Sequence, residues 1–242
     1  MDHNNKLAYI GSISLITILI ADFIVIELVL KLGVFSLGNK WARVLLLLFL
    51  FLQTLIVCLY DLTLNSNYNY LAVVPVVWII WNNLYFYMLI EQNDYWMSAT
   101  TKKRLFITWI AFNLIAIPSG TIAVCVYTYS IPFGDLFYAN LTDFIVLIYL
   151  CIVEKYLVVK VYFFSKTKLK SVSSELWAKV KFSILVCGIC VIIDILNAVL
   201  EVSGFVHYAY LFKPCVFAFK VIFECMCFQF IKGIVFSINQ TT

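Results

Sequence analysis

Lys220 stands in "PCVFAFKVIFECM", an otherwise apolar stretch, and Glu224 follows one helical turn later. An amine and a carboxylate four residues apart share one helix face. Inside a bilayer each charge costs about 2.5–3.5 kcal/mol on insertion scales. Residues that bear this cost turn toward a bundle interior or a wet cavity, where they bind protons, ions or polar ligands, or neutralise one another. Asp22, Glu154 and Asp194 interrupt other apolar runs in the same way, and Asn82, Asn83 and Asn113 add amides. Asp194, Asn197 and Glu201 recur at i, i+3 and i+7, the spacing of one inward face.

Depth groups these residues further. With a rise of ~1.5 Å per residue, Lys220 falls ~15–17 Å from the start of its run, near the middle of a ~30 Å hydrocarbon core. On the same measure Glu224 lies ~6 Å deeper, Asp22 and Glu154 fall at ~18–21 Å, and Asp194 at ~10–15 Å. The expected binding set is therefore Asp22, Asn82, Asn113, Glu154, Asp194, Asn197, Lys220 and Glu224. The competing reading is structural: Lys220 and Glu224 neutralise each other along one helix, and the asparagines bridge helices.

Other chemistry is poorly represented. All eight cysteines lie in apolar runs, and Cys187 and Cys190, in CxxC spacing, have no second pair to complete a metal site. They read as small packing residues. His3 and His207 are the only histidines, which excludes histidine-cluster metal chemistry. No Gly-rich phosphate loop, GxSxG or HExxH occurs. Thr54 and Ser119 are hydroxyls without a histidine at their depth, so no catalytic residue, cofactor or metal is expected.

The elements that position the polar set are membrane helices. The 242 residues are 64% hydrophobic and 12% charged, against roughly 45–50% and about 25% in soluble domains. The mean hydropathy is +1.00. Seven runs reach the ~20 residues a crossing needs: 8–31, 42–62, 71–91, 105–129, 142–164, 181–204 and 209–235. The break "GFVHYA" is the shortest, which leaves six as the alternative count. "EQNDYWMSATTKKR" and "SKTKLKSVSSELWAK" read as charged loops. The first run is too long for a cleaved signal peptide and reads as a retained span. "DFIV" occurs at both 22–25 and 143–146, but the offset does not align the other runs, so it marks no internal repeat. The predicted fold is all-α, a single polytopic seven-transmembrane-helix bundle over 1–242.

Lysine and arginine concentrate after the first, third and fifth runs, which predicts an outside N-terminus and a cytoplasmic C-terminus. Asn140 heads an Asn-Leu-Thr sequon in a predicted outer loop, a candidate glycosylation site. The net charge of +4 sits mostly in a few loops and signals topology, not nucleic acid. Beyond the lipid bilayer itself, Lys166, Lys168, Lys170 and Lys179 predict contact with a cytosolic partner or anionic lipid. The expected location is integral to the plasma membrane or an endomembrane.

Seven runs, an outside N-terminus and a basic third cytoplasmic loop resemble the serpentine receptors coupled to G proteins. "LIEQNDYW" stands where that family has DRY, and NPxxY is missing from the last run. "PCVFAFK" is similar to the retinal-lysine helix of opsins, although Val216 occupies the position of the microbial opsin aspartate. In size and topology the chain is also similar to small seven-span sugar carriers, with Pro75 and Pro214 at matching depths in two runs. The leading expectation is receptor-like sensing of a small ligand in a mid-membrane polar cavity. The alternative is a small-solute or proton-coupled transporter that uses the same carboxylates.

Overall fold

The computed structural model describes residues 40–62, 69–129, 136–169, 174–203 and 206–241, together with Gly11, Ile13, Leu15, Thr17 and Ile20. These residues form six α-helices: α1 Lys40–Leu62, α2 Asn69–Asn93, α3 Ala99–Tyr129, α4 Leu136–Leu169, α5 Ser174–Val202 and α6 Val206–Thr241. One 3-10 turn, Asp94–Trp96, follows α2. The five isolated positions are also helical. Ile13 packs against Cys58 of α1, and Ile20 against the main core. Most of the predicted run 8–31, Asp22 included, lies outside the described residues. The helices of the described residues are therefore six against the seven predicted runs.

Among the described residues, α1, α2, α3, α5 and α6 each hold a stretch long and apolar enough to cross a membrane. α4 has 34 residues, and Asp143, Glu154, Lys155 and Lys160 punctuate its apolar run. Helix is what such sequences must form in lipid, because every backbone N–H and C=O needs a partner within the segment.

Two expectations about loops are corrected. "SKTKLKSVSSELWAK" is not a long basic loop: α4 continues to Leu169 and α5 begins at Ser174. "EQNDYWMSATTKKR" is largely helical as well, since α3 begins at Ala99 and carries Lys102, Lys103 and Arg104 in its first turns. Polar residues mark the end of the apolar stretch, not of the helix. Lysine and glutamate are good helix formers once outside the bilayer. Asn140 likewise falls within α4 and not in a connecting loop. The predicted break between the last two runs is real: α5 ends at Val202 and α6 begins at Val206.

Each helix packs on the next in sequence, and α6 packs back on α1, so the six close into a ring. The short connections make sequential neighbours antiparallel. Gly120 lets α3 approach α2, since a Cβ there would lie 2.7 Å from Ile79 Cδ1. The ring holds its buried charges within an apolar and aromatic core and turns further apolar side chains outward. Leu114 is 72% exposed and Phe182 67%, whereas Lys220 is 1% exposed. That inversion is expected where the surroundings are hydrocarbon.

Alternation gathers the basic residues at one end of the bundle. Tyr95 in the turn after α2 meets Phe164 near the end of α4, with ring centroids 6.0 Å apart. Lys102 pairs with Asp94 at 2.6 Å, and Lys179 with Glu175 at 2.8 Å. Lys166 caps the ring of Tyr162 at 5.8 Å.

A buried ionic cluster as the candidate functional site

Four helices meet at Lys220. Its Nζ donates to both carboxylate oxygens of Glu154 on α4, each at 2.5 Å, and to Asp194 Oδ2 on α5. From α2, the Tyr85 hydroxyl donates to Glu154 Oε1. The same hydroxyl oxygen lies 3.4 Å from Glu224 Oε2, one turn beyond Lys220 on α6. Lys220, Glu154, Asp194 and Glu224 are each 1% exposed, and Tyr85 is fully buried.

The spacing along each helix explains the convergence. Lys220 and Glu224 share one face of α6, which also presents Phe217. The Phe217 ring stands edge-on to Tyr85 with centroids 5.4 Å apart. Lys220 Nζ lies 5.1 Å from the Tyr85 centroid and 5.2 Å from that of Phe217, so the amine has aromatic faces where it has no carboxylate. Asp194 Oδ1, Glu224 Oε1 and Asn197 Nδ2 are buried without a hydrogen-bond partner. The cluster thus sets one amine against three carboxylates, with acceptor capacity left over.

The structure distributes the expected site residues over several places. Glu154, Asp194, Lys220 and Glu224 come together. Asn197 lies on the buried side of α5, one turn beyond Asp194. Asn82 uses its amide on the Trp78 carbonyl of its own helix, at 2.8 Å. Asn113 joins a separate network between α2 and α3. There Asn83 and Asn113 exchange two amide hydrogen bonds of 3.0 Å, and Trp109 Nε1 donates to Asn83 Oδ1 at 2.7 Å. That network borders an outer groove walled by Tyr87, Phe106, Ile110 and Leu114. Asp22 lies outside the described residues.

Several interior residues were not expected from the sequence. Asp143 and Lys213 form a second buried ion pair, at 2.6 Å. Trp78 Nε1 donates to Asp143 Oδ1 at 2.7 Å. Trp81 Nε1 donates to Gln53 Oε1, joining the neighbouring helices α2 and α1. The available signal was the spacing of Lys213 and Lys220, seven residues apart and so on one helix face. Trp78, Trp81 and Tyr85 repeat that signal on α2.

Chemically, the cluster can hold and exchange protons. Among the described residues no three Asp, Glu, Cys or His side chains are placed to enclose a metal ion. No protein-family model, curated protein or solved structure matches the chain.

Proposed function

We propose that this chain is a proton-translocating carrier of the membrane, with Glu154, Asp194, Lys220 and Glu224 as its exchange site. Charge balance carries the reading: one amine faces three carboxylates in a packed interior. A buried carboxylate without its own cation costs several kcal/mol, and protonation removes that cost. Tyr85 has a single O–H, which it gives to Glu154. Its 3.4 Å approach to Glu224 becomes a hydrogen bond when Glu224 carries a proton and donates it to the phenolic oxygen. Glu224 is therefore the proton carrier, and Lys220 holds the other two carboxylates in place. Intramembrane carboxylates of this kind serve proton relays in pumps and transporters.

In this reading the run 8–31 supplies a seventh span, with Asp22 at the depth of the cluster. The N-terminus faces outward and the basic end is cytoplasmic. There Lys166, Lys168, Lys170 and Lys179 meet anionic lipid or a cytosolic partner. Trp81, Tyr85 and Phe217 pack beside the cluster, all nearly fully buried.

The test is proton flux in proteoliposomes loaded with a pH-sensitive dye. Glu224→Gln should lower proton uptake about tenfold or more, the size expected when a positioned proton carrier is lost, with the protein still monodisperse. Wild-type flux in that variant sinks the carrier reading. Absence of flux in the native protein, with a small ligand raising its melting temperature, would return it to sensing.

A further inference from the structure

The second ion pair differs from the central cluster in kind. Asp143 engages both carboxylate oxygens, Oδ1 with Trp78 Nε1 and Oδ2 with Lys213 Nζ. Asp143 thus has a partner for each of its two oxygens. It ties α2, α4 and α6 together nearer the start of α4 and α6, the end of the bundle remote from the basic residues. Phe217 follows on the same face of α6, between Lys213 and Lys220. Its ring meets Trp81 at 4.8 Å and Tyr85 at 5.4 Å. Along α6 the order from that end is therefore the ion pair, then the ring, then the central carboxylates.

We infer that the Asp143–Lys213 pair and the Phe217 ring beneath it are the gate between the central cluster and the membrane face remote from the basic end. The inference rests on the reading that the cluster exchanges protons with water. A buried ion pair suits this role because it has two discrete conditions, closed and dry or parted and hydrated. Tying three helices through one carboxylate makes opening a concerted movement of α2, α4 and α6. The aromatic ring blocks a file of water while the pair is closed.

The test uses the full chain with its native cysteines in proteoliposomes. A membrane-impermeant thiol reagent is added, and modification of each cysteine is followed by peptide mass spectrometry. Cys151 lies three residues before Glu154 and is buried. It should react slowly in the native protein. Asp143→Asn and Phe217→Ala should each speed its modification about tenfold or more, because each removes a component that holds the closed condition. Asp143→Glu, which keeps the charge, should stay closer to the native rate than Asp143→Asn. Cys227, toward the basic end, serves as the internal control and should not change. Unchanged Cys151 rates in both single variants overturn the gate. So does a rise at every cysteine, or an Asp143→Glu variant as reactive as Asp143→Asn. Labelling does not depend on flux, so loss of the carrier reading and loss of the gate are separate outcomes.

Discussion

Lys213 and Lys220 stand seven residues apart on α6, and both reach across the ring to carboxylates of α4, Asp143 and Glu154. The two contacts share their charges differently. At the first, Asp143 is shared between Lys213 and Trp78, whereas at the second Lys220 is shared between Glu154 and Asp194 with Glu224 alongside. Stability and exchange should therefore respond differently to changes at the two lysines.

Removing Lys220 strands two carboxylates. Lys220→Met should destabilise the protein by about 3–5 kcal/mol, the usual result of deleting one partner of a buried ion pair. Neutralising the acids at the same time, with Glu154→Gln and Asp194→Asn, should recover most of that loss. Melting in detergent, followed by near-ultraviolet circular dichroism, measures both. A Lys220→Met variant as stable as the native chain would show that the cluster is not dry.

Tyr85→Phe removes one hydroxyl and keeps the ring that packs on Phe217. The loss should be about 1–3 kcal/mol, the cost of leaving a buried acceptor short of one donor. Proton flux should fall in the same variant, because Glu224 loses the phenolic oxygen to which it donates. Full flux with lower stability would confine Tyr85 to packing.

The Asn83–Asn113 pair has both amides satisfied and should act as glue between α2 and α3. A double-mutant cycle to alanine should give a coupling of about 0.6–2 kcal/mol, in the range of interhelical hydrogen bonds in membranes. Proton flux should be unaffected by either change. A flux defect in Asn113→Ala would join this network to the exchange path.

At the basic end, the Lys179 ammonium beside Glu175 holds that carboxyl below the ordinary glutamate value, chiefly through their hydrogen bond. A lowered folded-state value means that the contribution is present above the ordinary glutamate range. It is lost as pH falls through the lower value. Because the pair is exposed, the effect is small and screened by salt. Lys179→Met should move the Glu175 titration upward in a carbon-13 NMR experiment at low ionic strength. No movement would show that the pair does not form in solution.

The primary sequence determined the helical, apolar architecture and most of the buried ionic cluster. Long apolar runs leave a backbone in lipid no other regular structure. Glu154, Asp194, Lys220 and Glu224 were legible because each interrupts such a run at a depth where a charge is costly. The loops were less legible, since a drop in hydropathy marks the bilayer edge while the helix runs on, as α4 and α5 do through 165–169 and 174–180. Asp143 and Lys213 fall in the first turns of their predicted runs, where a charge reads as an interface residue. Only the tertiary structure decided partners. Lys220 pairs with Glu154 and Asp194 on two other helices, not with Glu224 one turn along its own. Spacing fixes which residues share a face, but the rotation and order of helices in the ring decide what that face meets. Those depend on packing between residues far apart in the chain, such as Trp81 on Phe217 and Tyr85 on Glu154.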